Sequence, residues 1–138
     1  MNLEQGRQHK HVAAVMHRGV VTCEQETPIP QVARLMTQHD VSAVPVVDAD
    51  GFLVGIITRT DLVTLRAYED YWRAMNAEHV MRRDVATITP DETLAEASKR
   101  LSDRKIHRLI VVEVDEAQRA RPIGVISQTD VVRDMTLE

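Results

Sequence analysis

Two stretches of this 138-residue chain set a hydroxyl and an acid in the same order after an apolar run: Gly55-Ile-Ile-Thr-Arg-Thr-Asp61 and Gly124-Val-Ile-Ser-Gln-Thr-Asp130. Each reads as a short strand that runs through Thr58 or Ser127 into a helix opening with a carboxylate, Asp61 or Asp130. The free N–H groups of a helix start, with a hydroxyl beside them, donate to anions, and the carboxylate accepts from hydroxyls. The same [ST]-x-x-[DE] spacing is also a plain capping box, and for one copy that would be the simpler account. What favours a site is that the rest of the chain repeats in register around both copies.

The register is long. Val12-Ala-Ala-Val-Met16 returns as Ala77-Glu-His-Val-Met81, an offset of 65, and the same offset pairs Val20 with Val85, Thr22 with Thr87, Met36 with Leu101 and Val47 with Val112. In each copy a β-prone run is followed by a helix. The first has Pro28 and Pro30 at its start and Ile29, Val32, Ala33 and Met36 on one face; the second has the box Thr93-Leu-Ala-Glu96 and the face Leu94, Ala97, Ser98 and Leu101. Next come the nearly continuous apolar runs Ala43–Val47 and Arg108–Val112, as expected of strands covered on both faces. Asp50-Gly51 signals a hairpin turn, which the second copy replaces with a longer loop from Glu113 to Pro122, raising the offset to 69 at Gly124.

The expected architecture is α/β (α+β): two β-α-β-β-α repeats of roughly 55–60 residues, each too small to be more than marginally stable alone. Residues 12–75 form the first repeat, residues 77–138 the second, and residues 1–11, with His9-Lys10-His11, a flexible tail. Leu62, Leu65, Tyr68, Trp72 and Met75 recur at three- and four-residue spacing, as one long linking helix would require.

Composition narrows the function. A net charge of −4 offers no strong basic field, so nucleic acid is not expected as a partner. The apolar runs are far short of the roughly 18 residues of a membrane span. One cysteine and no apolar leader point to the cytoplasm. Cys23 aligns with Ile88 and reads as a small buried hydrophobe. His17, His39 and His79 have no partner at ligand spacing, so no metal is expected, and no catalytic triad or Walker loop is visible.

From Val12 to Met135 the chain resembles tandem cystathionine-beta-synthase (CBS) domains, the Bateman module. The resemblance rests on the duplicated Val-Met phrases, Thr22 and Thr87, Val44-Pro45-Val46-Val47 and the two Gly-h-h-[Thr/Ser]-x-x-Asp motifs, h being apolar. It implies a pseudo-twofold pair binding AMP, ADP, ATP or S-adenosylmethionine in the cleft between repeats. Asp61 and Asp130 would then accept from the ribose hydroxyls, with charge-assisted bonds of about 1.5–3 kcal/mol each. Thr58, Ser127 and the helix starts would meet phosphate. The family also places the adenine slot beside Ala43-Val44-Pro45 and Arg108-Leu109-Ile110; Val44 and Leu109 read better as core, while Pro45 and Ile110 suit either role. His107-Arg108 resembles the pair that meets phosphate in a nucleotide-sensing kinase subunit of the family, and the first repeat has Ser42-Ala43 there. Arg59 is a second phosphate candidate or an exposed helix residue.

The reading is a non-enzymatic sensor that needs no cofactor, takes an adenine nucleotide or S-adenosylmethionine as regulatory ligand, signals to a separate effector protein and forms a homodimer through its apolar helical stripe. The alternative is a ligand-independent assembly or adaptor module, as two bare capping boxes would allow.

Overall fold

The computed structural model describes residues 10–137. The chain divides into two compact units: residues 21–85 make one, and the described residues up to Val20 together with those from Ala86 onward make the other. The first is called here the first-repeat unit and the second the second-repeat unit.

In the first-repeat unit, β2 (Cys23–Glu24), α1 (Ile29–His39), β3 (Ala43–Val47), β4 (Leu53–Thr58) and α2 (Arg59–Tyr68) follow in the expected order. β2 lies parallel to β3, and β3 antiparallel to β4. Pro28 caps α1 and Pro30 stands in its first turn, where a missing N–H is harmless. Ile29, Val32 and Met36 on the inner face of α1 pack with Cys23, Val44, Val46 and Ile57. Removing each such side chain from water contributes about 1.5–3 kcal/mol.

The second-repeat unit repeats this plan with β5 (Thr87–Ile88), α4 (Leu94–Arg104), β6 (Arg108–Val114), β7 (Ala120–Ser127) and α5 (Gln128–Met135). Thr93 caps α4 by accepting from the Glu96 amide at 3.1 Å. A fourth strand, β1 (His17–Arg18), is added antiparallel to β7, giving the order β1-β7-β6-β5. Its core takes Val12 and Met16 alongside Ile88, Leu94, Leu101, Leu109 and Ile126.

The opening segments of the two repeats are therefore traded. Val12 and Met16 complete the core of the second-repeat unit, while their counterparts Ala77 and Met81 complete that of the first. The short 3-10 helix Val12–Ala14 and α3 (Ala77–Val80) occupy matching places. The trade explains two glycines. An added Cβ at Gly55 would fall 2.5 Å from the Met81 sulfur, and one at Gly124 would fall on the His17 carbonyl oxygen and 2.6 Å from Met16 Cε.

Three expectations are corrected. The linking helix is not continuous: α2 ends at Tyr68, and a 3-10 turn (Trp72–Ala74) and α3 follow. Backbone bonds from Ile29 to Met75, Ala77 to Thr27 and Glu78 to Gln25 tie residues 75–78 to the start of α1, which a straight helix could not reach. Leu62, Leu65, Trp72 and Met75 consequently pack on their own unit's core, and Tyr68 is left exposed.

The second hairpin loop is not Glu113 to Pro122, because Val112–Pro122, Glu113–Arg121 and Val114–Ala120 are paired ladder residues. Only residues 115–119 turn, as residues 48–52 do in the first hairpin. Asp48 accepts from the amides of Asp50 and Phe52, and Asp115 from those of Ala117 and Arg119. The inserted residues lengthen both arms by two.

Lys10 and His11, placed in the expected tail, are tied into the second-repeat unit. Lys10 pairs with Asp134 at 2.7 Å, its carbonyl accepts from Leu94, and His11 bridges to Thr93. Residues 1–9, His9 included, lie outside the described residues. His17 and His79 are exposed, as expected of surface histidines; His17 meets Asp130, and His79 closes the cap with Asn76.

Candidate ligand-binding site

Both carboxylate motifs fold into complete capping boxes. At the start of α2 the Asp61 amide donates to Thr58 Oγ1 at 3.2 Å, and the Thr58 amide donates to Asp61 Oδ2 at 2.9 Å. At the start of α5 the Asp130 amide donates to Ser127 Oγ at 3.3 Å, and the Ser127 amide donates to Asp130 Oδ2 at 2.8 Å. The box spends one carboxylate oxygen on the helix start. The other, Oδ1, receives Arg82 Nε at 2.8 Å in the first-repeat unit and His17 Nε2 at 2.8 Å in the second. Asp130 is the buried charged side chain among the described residues.

Each unit gathers its own candidates at one end of its hairpin. Ala43 stands across from Thr58 in the β3–β4 ladder, and the Arg59 amide donates to the Ser42 carbonyl at 2.9 Å. Arg108 stands across from Ser127 in the β6–β7 ladder, and the Gln128 amide donates to the His107 carbonyl at 2.9 Å. The strand start, hydroxyl and acid thus meet by the same two backbone links in both repeats.

The side chains differ. His107 is exposed and its Nδ1 lies 3.4 Å from Gln128 Oε1, while Arg108 is half-buried. Arg59 is exposed, with Nη2 3.4 Å from Asp40 Oδ1. Pro45 and Ile110 lie two residues further along their strands and are buried. They alternate with Val44, Val46, Leu109 and Val111, which face the helices, so they belong to the opposite sheet face. Thr22 is half-buried just before β2, and Thr87 pairs with Ile110 while its carbonyl accepts from Arg100 at 2.9 Å.

The sequence reading missed His17 and Arg82. Their signal was present: each is the basic residue directly after a Val-Met phrase, at the same offset of 65. Cys23 is buried, with its thiol pushed up to about 11 by that burial and by the nearby Glu24, so it is no nucleophile at neutral pH. Among the described residues no group of three metal-ligating side chains converges, and no helix is long and apolar enough to cross a membrane.

These features define a class: a tandem of like β-α-β-β-α units, each ending its hairpin in a hydroxyl-capped, acid-bearing helix start. The CBS domain profile matches residues 12–68 and 77–136, and the chain belongs to the CBS domain family. The CBS domain pair of protein MJ0100, solved in complex with 5′-methylthioadenosine and S-adenosyl-L-methionine, superposes with a TM-score of 0.79 at 26% identity, over 92% of this chain and 96% of that one. Homoserine O-acetyltransferase of Methanococcoides burtonii is 34% identical over 125 residues, 91% of this chain and 24% of that protein. The gamma-3 subunit of 5′-AMP-activated protein kinase from Sus scrofa is 31% identical over 127 residues, 87% and 24% respectively. The chain spans about a quarter of the length of these curated relatives.

Proposed function

We propose that this chain is a regulatory, non-catalytic module that binds an adenosine-containing molecule and passes the resulting change to a separate protein. The observation that carries the reading is the duplicated constellation of buried acid, hydroxyl and helix start, built by the same backbone links in both repeats. The similarity to the MJ0100 pair and to the kinase gamma-3 subunit supports an adenosine ligand over other polyols. In this reading Asp61 and Asp130 take the ribose hydroxyls. Thr58, Arg59, Ser127, His107 and Arg108 meet phosphate or its replacement, and Thr22, Ala43, Pro45, Thr87 and Ile110 border the base. A ligand with different affinity for two arrangements of the protein shifts their populations, and that shift is the signal.

A thermal-shift panel of AMP, ADP, ATP, 5′-methylthioadenosine and S-adenosylmethionine tests the proposal. A true ligand at a hundredfold excess over Kd stabilises by about 2.7 kcal/mol. Flat melts across the panel would favour the ligand-independent adaptor reading, which the completeness of both capping boxes supports. Arg108→Ala is expected to weaken ATP more than adenosine, because adenosine offers nothing for a guanidinium to grip; equal losses in calorimetry would remove that role.

The homodimer belongs to the same proposal. Val63, Tyr68 and Tyr71 in one unit and Val132, Met135 and Leu137 in the other are exposed apolar residues, with Val63 and Val132 at equivalent positions. Exposed aromatic and aliphatic side chains of this kind fit an isologous contact. A monomer in light scattering at micromolar concentration would rule it out.

A further inference from the structure

The two carboxylates do not stand open. Asp61 and Asp130 are 8% and 3% exposed, and each is covered at Oδ1 by a basic side chain that is itself 68% or 67% exposed, Arg82 or His17. The covers are equivalent by backbone as well as by side chain, since Arg82 bridges to Ile56 and His17 pairs with Val125, matching positions of β4 and β7. Because Oδ2 is spent on the helix cap, Oδ1 is where a pair of hydroxyls has to be received. An exposed arm over a buried acid gives way more easily than the acid does. In the first-repeat unit there is room for it, because the Asp61–Arg82 pair borders a cavity of about 330 Å³ lined also by Thr64, Met75 and His79.

Resting on the adenosine reading above, we propose that Arg82 and His17 are positioning residues that guard the ribose-binding oxygen and must be displaced by the ligand, so that their identity decides how readily each repeat accepts it. Arginine presents a charged planar fork of five donors and histidine only a small ring, so the guard on Asp61 is the firmer of the two. The charged groups around His17 are Asp130 at 2.8 Å, Arg133 at 3.7 Å from the same oxygen, and Arg18 beside it in β1. Asp134 on the same helix is engaged by Lys10, and β7 opposes His17 with Val125 through the ladder.

The test is calorimetry with adenosine on the wild type, His17→Arg and the double variant His17→Gln/Arg82→Gln, each checked for a folded melting transition. His17→Arg should bind up to about fivefold more weakly than the wild type, and the double variant up to about fivefold more tightly, the effect of an exposed ion pair of up to 1 kcal/mol. Binding by the double variant alone would also support the guard. Wild-type binding that neither variant alters would overturn the guard and leave the ligand reading standing. Absence of adenosine binding in all three proteins would overturn the ligand reading and the guard with it.

Discussion

Asp130 gives one oxygen to the helix cap and the other to His17 and Arg133, and a single substitution can separate the tasks. Asparagine keeps an acceptor for the Ser127 amide but removes the charge that faces His17 and Arg133. Asp130→Asn is accordingly expected to fold with a loss of about 1 kcal/mol and to lose most adenosine binding, as read by urea denaturation and calorimetry. Unfolding with unchanged binding would mark the residue as purely structural. A second carboxylate makes a prediction about acid. Glu92 is held below the usual carboxylate range by its hydrogen bond with Arg100, helped by the Thr89 amide and opposed by partial burial. A folded value below the unfolded one means stability that is present above about pH 4.3 and lost as pH falls through the lowered value. Glu92→Gln should lower stability at pH 7 by about 1–2 kcal/mol and flatten the decline below about pH 4.3. Both motif acids were legible in the sequence because a capping box is local. Their basic covers leave no local spacing to the acids, and their signal is the repeat offset that His17 and Arg82 share.

At the scale of elements, strands, helices and their order follow from periodicity, while the errors fall where local chemistry competes with it. The stripe from Leu62 to Met75 has helical spacing, yet backbone links to the start of α1 bend it back after Tyr68. The second hairpin appears in sequence as a longer loop, whereas the turn is conserved in kind and the strands absorb the insertion. Asp48 and Asp115 each accept two amides, and Gly51 and Gln118 both adopt positive φ, 88° and 64°. The left-handed region costs a side-chain-bearing residue about 1–2 kcal/mol. Gln118→Gly should therefore stabilise by up to about 1 kcal/mol after the glycine's extra unfolded-state entropy, while Gly51→Ala should destabilise by a similar amount. Deleting Glu113, Val114, Ala120 and Arg121 together should leave a folded protein within about 1 kcal/mol of the parent, since the turn and the Val112–Pro122 pair are retained. Loss of the cooperative transition on denaturation would show that the long arms are needed.

For the whole molecule, the repeat predicts two units but not which segment completes which. The phrases ending in Met16 and Met81 are chemically alike, so sequence alone leaves the exchange undecided; the structure shows it in the packing against Gly124 and Gly55 and in the bridges of His17 and Arg82. The two contacts are unequal. Alanine at 124 would press on the His17 backbone, which cannot yield, and should cost about 2–3 kcal/mol. Alanine at 55 meets the Met81 side chain, which can change rotamer, and should cost about 1 kcal/mol. Denaturation midpoints of the two variants measured side by side check the order; equal midpoints would contradict it.

The exchange also imposes an order of events during synthesis. The segment from Lys10 to Val20 leaves the ribosome before the rest of the described chain, yet its partners Ile88, Leu94 and Ile126 come only after the whole of residues 21–85. Its apolar Val12 and Met16 must wait, exposed, while the other unit is made. Lys10 finally meets Asp134, within four residues of the last one described. A gene rearranged to start at Val21 and to carry residues 10–20 on a short linker after residue 137 would make each unit from one uninterrupted length of polypeptide. The interval in which those side chains lack a partner would then shrink to the time needed to translate the linker.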